Sequence, residues 1–367
     1  MRLRESETRR LPGDRIVDPL GTEVRLRACP EASCRRVLPD ELLRNRTRVL
    51  TVVGSSASGK STLIAGMMHS ARLRLERAGI AMAPVALTQN SVWRLIPNVF
   101  ERAHCMEPTA IERDFDTPLF LSVGRSNYNG LLVIHEVDLA NPVPNISGDG
   151  PNRRLIQKSD AVLCVLDPLQ IPTVRASVIR DLDVAGVEVD ARDPAVTSPF
   201  ADPDALSAWG TILSGSRTGR SRNPIAGRPP IAVALTKMDV WAGLLKRLPD
   251  LVDSRGSSST AIHRLRSRIA ARISGAGPID ARASGVARAF APSLTSVIDQ
   301  NFLVQDFFCT QALGSRPVPA GSHGAMGVVP SEVQPKGCDV LFCWLLARMF
   351  STFDDLCSGD EDVLNVR

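Results

Sequence analysis

The chain has 367 residues, 44% of them apolar and 23% charged. That apolar fraction allows a sizeable buried core and excludes a wholly disordered, collagen-like or coiled-coil chain; the length suits one elaborated α/β domain or two modest ones. The formal net charge is +5, and residues 1–48 alone carry twelve Arg against eight acidic residues, so the remaining body is near neutral, which argues against a nucleic-acid partner.

Met1-Arg-Leu-Arg-Glu-Ser leads into polar sequence without an apolar core segment, so no secretory signal is predicted. The longest apolar stretch, Val340 to Ala347, is far short of the roughly 20 residues a bilayer span needs. The eight scattered cysteines read as free thiols of a reduced, cytoplasmic protein. Arginine outnumbers lysine 39 to 5, a ratio read as codon bias that turns the few lysines into markers; Lys60 and Lys237 fall where a compact ammonium suits the motifs below, and the other three have no assigned role. The five are Lys60, Lys158, Lys237, Lys246 and Lys336.

Residues 1–45 read as an irregular N-terminal arm with Leu-Pro-Gly and Pro-Leu-Gly turns. The β-branched run 49–53 predicts a strand, followed by a Gly/Ser loop and a helix from Lys60 to about Ala78, stopped by Gly79. A helix is expected near 92–104. The runs 119–123 and 131–137 flank a polar turn ending in Asn129-Gly130 and predict a hairpin. Residues 161–166 and 231–235 are near-continuous apolar runs, as for strands buried on both faces, and 307–310 is a last candidate strand. Helical pieces are expected at about 173–183, 203–214, 240–248, 259–273 and 339–350. Alternating strands and helices predict a layered α/β sheet, mostly parallel, to which the hairpin adds one antiparallel strand. The domain is expected to run over 46–350, with Pro/Gly/Ser-rich insertions at about 186–230 and 313–338, before an acidic tail at 351–367.

Gly54-Ser55-Ser56-Ala57-Ser58-Gly59-Lys60-Ser61 satisfies G-x-x-x-x-G-K-[ST], after a strand and opening a helix. The glycines let backbone N–H groups curl around a phosphate, and the helix N-terminus adds partial positive charge. Lys60 would reach the β and γ phosphates; the Ser61 hydroxyl would coordinate Mg²⁺, with Thr62 beside it in the first turn. Asp138 closes the strand 131–137, where a P-loop protein places a second Mg²⁺ contact. Glu136 and His135 compete for that role, and alternation puts Glu136 on the same face as Asp138. Thr236-Lys237-Met238-Asp239 closes the strand 231–235 and matches [NT]-K-x-D. An Asp carboxylate there accepts from guanine N1–H and N2–H₂, a pairing adenine does not offer, while the lysine stem covers the purine.

On these motifs the chain resembles GTPases of the TRAFAC class and, within it, bacterial double-GTPase-like proteins. The resemblance runs from about Cys29 to Phe350. It includes Asp138-Leu-Ala-Asn141 in place of D-x-x-G, the segment Asp167-Pro-Leu-Gln-Ile-Pro172, and Gln311-Ala312-Leu313-Gly314 in place of S-A-L-G. It implies a P-loop NTPase three-layer fold, GTP or GDP with Mg²⁺ as ligands, and Ala312 N–H facing guanine O6 beside Gln311. It also implies a switch threonine, Thr117 or alternatively Thr109, and a bacterial switch module in a signalling or defence system. Asn141 replaces a glycine whose N–H contacts the γ-phosphate, Pro142 stands where a water-orienting Gln is found, and Gln311 replaces Ser. Slow turnover, dependent on a protein partner or self-association, is therefore expected. The competing expectations are an ATPase of another P-loop class and a nucleotide-bound interaction module without turnover.

Other features read as structural first. Cys29 and Cys34 resemble half a zinc knuckle, but a tetrahedral site needs four ligands. His104-Cys105 is an isolated pair. Arg264, Arg268 and Arg272 form a basic helix stripe, read as a solvated face, and Arg217, Arg220 and Arg222 a basic loop that could hold an arginine finger. Residues 340–346 read as a short core helix.

Overall fold

A computed structural model describes residues 37–85, 96, 100, 118–138, 155–156, 158–171, 175–176, 179–180, 229–237, 292–314 and 333–357, and the short pieces 9–10, 16–17, 27–28, 318–319 and 326–327. Its centre is a seven-stranded sheet. Strand β1 (Arg46–Gly54) runs into the loop 55–59 and helix α1 (Lys60–Arg77), after which β2 (Ala81–Pro84) forms a sheet edge. The hairpin β3 (Leu119–Arg125) and β4 (Tyr128–Asp138) follows, then β5 (Ala161–Leu166), β6 (Ile231–Leu235), α2 (Pro292–Asn301), β7 (Gln305–Cys309) and α3 (Cys338–Met349).

The spatial order is β7-β6-β5-β1-β4-β3-β2. Every pair from β7 to β4 is parallel, and β3 is antiparallel to both of its neighbours, so a single strand runs against the rest. This is a mixed α/β fold with a mostly parallel sheet.

Period-two alternation divides the strands between two faces. Leu50, Val52, Leu119, Leu121, Leu132, Ile134, Leu163 and Val165 join the core shared with α1 and α3. Phe120, Leu131 and Val133 point to the other side, where Val49 and Leu42 pack against them. Strands β5 and β6 are buried at every residue, which is why they read as unbroken apolar runs. Helix α3 is buried along nearly its whole length, and the turn Ser351–Cys357 beyond it buries Phe353 and Leu356 in the same core.

The hairpin forms where the sequence places one, but its turn is at Ser126-Asn127, because Arg125 pairs with Tyr128 and Ser126 takes the left-handed φ of 52°. Asn129-Gly130 lies inside β4 instead. Gly130 is small for a packing reason: a Cβ there would come within 2.7 Å of the Phe350 ring. The sequence pattern leaves out β2 and α2, and also the short helix Glu41–Arg44 and the two-residue strand pairs at 9–10/16–17, 27–28/37–38 and 318–319/326–327. The helices expected at 92–104, 203–214, 240–248 and 259–273 lie outside the described residues, apart from single positions at 96 and 100. No described helix is long and apolar enough to cross a membrane.

Candidate functional site

The loops that carry the sequence motifs leave the sheet at one edge, the carboxyl ends of the parallel strands. Gly54 ends β1 in register with Asp138 at the end of β4; Asp167 follows β5, Thr236 and Lys237 follow β6, and Thr310 to Ala312 follow β7. Open α/β sheets place ligands at this edge.

The loop Gly54–Ser61 owes its shape to two left-handed residues, Ala57 (φ 58°) and Gly59 (φ 90°). At Gly54 a side chain is excluded by contact, since a Cβ would lie 2.7 Å from Ser58 Oγ and 2.9 Å from the Val165 carbonyl. The loop carbonyls are held from several directions. Lys60 Nζ donates to Gly54 O at 2.9 Å and to Ser55 O at 2.8 Å. Gln170 Nε2 donates to Ser56 O at 2.6 Å, and Ser55 Oγ donates to Gln170 Oε1. Thr236 Oγ1 donates to Ser58 O at 2.7 Å. In a trans peptide the carbonyl and the following N–H point in opposite directions. Fixing the Ser56 and Ser58 carbonyls therefore fixes the N–H groups of Ala57 and Gly59.

Helix α1 begins at Lys60 with Gly59 as its cap residue, and Leu63 N donates to Gly59 O at 2.8 Å. Ser61 Oγ, in its first turn, donates to Glu136 Oε2 at 2.7 Å. Alternation along β4 explains this contact. Leu132 and Ile134 face α1, so Glu136 does too, while His135 is of the opposite parity. Ser61 and Glu136 offer hard oxygen donors, and Asp138 stands two residues further along the strand. A hydroxyl and a carboxylate of this kind fit Mg²⁺, which takes one or two carboxylates and keeps other oxygens for the rest. Among the described residues no three His, Cys, Asp or Glu cluster closely enough to hold a metal ion.

Lys237 is left-handed (φ 56°), an uncommon conformation for a residue with a side chain. Its ammonium lies 2.7 Å from Asp167 Oδ2 as an ion pair without hydrogen-bond alignment. Asp167 is fully buried and its Oδ1 accepts from Leu169 N at 2.9 Å, capping the turn Pro168–Gln170. Arg175 closes the same turn by donating from Nε to Leu169 O at 2.9 Å. Burial pulls the Arg175 pKa down, partly countered by the charge of Asp167.

The loop after β7 is pinned by the segment leading into α3. Gln311 and Lys336 exchange backbone hydrogen bonds at 3.0 and 2.9 Å, and Gln334 N donates to Leu313 O at 2.9 Å. Gly314 (φ 78°) has the Gln334 carbonyl 2.0 Å from where a Cβ would stand. On its inner side Ala312 meets α1 at Gly66, where a Cβ would come within 3.3 Å of it.

The structure thus brings Gly54 to Thr62, Thr236, Lys237, Gln311 and Ala312 to one edge, with Asp138 ending the strand beside the loop. Asp239, Thr117, Thr109, Asn141, Pro142, Cys29, Cys34, His104 and Cys105 lie outside the described residues, as do the arginines at 217, 220, 222, 264, 268 and 272. Asp167 and Gln170 belong to the segment 167–172 named in the resemblance, which gives neither a role, yet both contact the site residues. The signal that could have found Gln170 is its setting, a lone amide among Pro168, Leu169, Ile171 and Pro172 directly after a buried strand.

No protein-family model matches the chain. It is 29% identical over 230 residues to a Mycolicibacterium smegmatis protein, SaeC, provisionally named as an ESX-1 scaffolding and assembly protein. The match covers 59% of this chain and 52% of that protein, so the chain spans about half the length of the curated relative. Among solved structures, the chain is similar to the Saccharomyces cerevisiae Ski7 GTPase-like domain bound to GDP and inorganic phosphate, with TM-score 0.35 and 11% identity over 83% of this chain and 51% of that one. The same domain bound to GTP aligns with TM-score 0.35 and 11% identity, over 85% and 53%.

Proposed function

We propose that this chain binds a guanine nucleotide together with Mg²⁺ at the carboxyl edge of its sheet and hydrolyses GTP slowly. The observation that carries this reading is the joint bracing of one loop. Residues 54–61 have the glycine, lysine and serine spacing of a phosphate cradle, and the base motif reaches into it through the hydrogen bond from Thr236 Oγ1 to Ser58 O.

In this reading the N–H groups of the loop and the start of α1 hold the phosphates, and the Lys60 ammonium offsets their charge. Ser61 and Asp138 would hold the cation, with Glu136 orienting the Ser61 hydroxyl. A Mg²⁺ ion held by these oxygens would supply charge neutralisation beside the phosphates. Lys237 would lie along the purine, Asp239 would accept from its N1–H and N2–H₂, and Ala312 N–H would face O6. Turnover is slow because Asn141 and Pro142 replace the γ-phosphate glycine and the water-orienting glutamine.

A second reading is a nucleotide-loaded interaction module without turnover. The same two replacements favour it, as does the description of the Mycolicibacterium smegmatis relative as a scaffolding and assembly protein. The decisive experiment is a binding panel of GTP, GDP, ATP and ADP with and without Mg²⁺, paired with phosphate release against a Lys60→Ala control. Guanine preference with release above the control supports the GTPase, guanine preference with no release supports the module, and equal binding of ATP and GTP overturns the guanine assignment. Asp239→Asn should shift preference towards xanthosine triphosphate. Unchanged guanine preference in that variant removes Asp239 from the base site.

A further inference from the structure

The turn that follows β5 lies in the segment 167–172, which the family resemblance includes without giving any of its residues a role, and it touches two of the motifs. At its C-terminal end Gln170, buried to 1% exposure, grips the phosphate loop twice, accepting from Ser55 Oγ and donating from Nε2 to Ser56 O. At its N-terminal end Asp167, 0% exposed, faces the Lys237 ammonium. Between them the turn is rigid for visible reasons. Asp167 caps it through Leu169 N, Pro168 fixes a backbone angle, Gln170 N donates to Asp167 O at 3.0 Å, and Arg175 holds Leu169 O.

Neither end is a casual surface contact. A carboxylate removed from water is costly unless it is paired and hydrogen-bonded, and here it has Lys237 and the Leu169 N–H. A buried primary amide that uses both its oxygen and its nitrogen on the backbone and side chain of one loop leaves that loop a single peptide orientation. The orientation it sets is that of the Ser56–Ala57 peptide, whose N–H is one of those a bound phosphate would meet.

The geometry points to Asp167-Pro168-Leu169-Gln170 as a further element of the nucleotide site, whose two ends position its two halves: Gln170 sets the phosphate loop and Asp167 sets the lysine that lies along the purine. This rests on the nucleotide-binding reading above. Both are positioning residues, acting through the loop and through Lys237.

The two ends predict different losses, and calorimetric titration of the full chain with GDP and with inorganic pyrophosphate, each in Mg²⁺, separates them. Gln170→Met keeps the side-chain length and removes both hydrogen bonds, and Gln170→Ala repeats the test without the added thioether. Either should weaken GDP and pyrophosphate alike, by about tenfold. Asp167→Asn keeps the acceptor for Leu169 N and removes the charge; it should weaken GDP by about fivefold and leave pyrophosphate unchanged. Thermal melts of the free variants establish that each is folded. Folded Gln170 variants with wild-type affinity for both ligands overturn the inference while leaving the nucleotide reading intact. Equal losses for both ligands in all three variants also overturn it, since they indicate a general structural role. A wild-type chain that binds neither ligand overturns both readings together.

Discussion

Thr236→Val tests whether the residue that follows β6 braces the loop 54–61. Thr236 is 3% exposed, and its hydroxyl donates to Ser58 O at 2.7 Å, with Leu166 O a second acceptor at 3.3 Å. Valine keeps the β-branched shape and removes the donor. Leu166 O retains the backbone N–H of residue 236 at 3.0 Å, so the loss falls on Ser58 O, in a residue of 0% exposure where water does not readily substitute. A buried acceptor stripped of its donor costs about 1–3 kcal/mol, and a value near 2 is expected here. Urea unfolding followed by far-UV circular dichroism reads that loss as a lower midpoint with unchanged slope. The freed Ser58–Gly59 peptide no longer has a fixed orientation, so GDP affinity should fall about tenfold as well. A stability change under about 0.5 kcal/mol with unaltered GDP affinity would refute the bracing argument. A loss of stability alone would confine the hydroxyl to a packing role.

Gly54→Ala brings a methyl group to 2.9 Å from the Val165 carbonyl, a backbone atom of the neighbouring strand that has no rotamer with which to yield. It should cost about 1–3 kcal/mol and abolish nucleotide binding; a variant with wild-type melting temperature and affinity would show that β1 and β5 have slack. Cys164 is wholly buried in β5, and desolvation pushes its thiol from the ordinary 9.0 up to about 12. Between those values the unfolded chain releases a proton that the folded chain keeps, so this group's contribution is complete below pH 9 and is lost as pH rises towards 12. The slope is about 1.4 kcal/mol per pH unit. Denaturant titrations at pH 8 and pH 10 should show that decline in the wild type and a flatter profile in Cys164→Ala, and parallel profiles would reject the assignment.

How much was legible depended on how each element is stabilised. Strands β5 and β6 fall at 161–166 and 231–235 as read, because burial on both faces forces an unbroken apolar run. Strand β2 escaped notice because it is a four-residue edge of Ala, Met, Ala and Pro, with alternate residues exposed, and its place comes from pairing with β3. Helix α2 is poor in strong helix formers and is held by burial of Leu294, Thr295 and Ile298, a tertiary effect that local sequence does not advertise. The Asn129-Gly130 signal was ambiguous in kind: glycine serves a tight turn or a close approach equally well, and only the position of Phe350 decides between them. At the candidate site, the loop 54–61 was readable because the pattern G-x-x-x-x-G-K-[ST] fixes its spacing. Gln170 was not, since its role depends on two loops 114 residues apart in sequence meeting in space.

The contact between Gly66 and Ala312 makes helix α1 a gauge. Its first residue, Lys60, belongs to the loop 54–61, and six residues later Gly66 lies against the loop after β7. At 1.5 Å per residue that separation is about 9 Å, measured along hydrogen-bonded backbone and so almost incompressible. The spacing between these two loops is therefore set by helical rise, not by soft side-chain packing. A ligand that reaches from one loop to the other must match a length the helix has fixed beforehand.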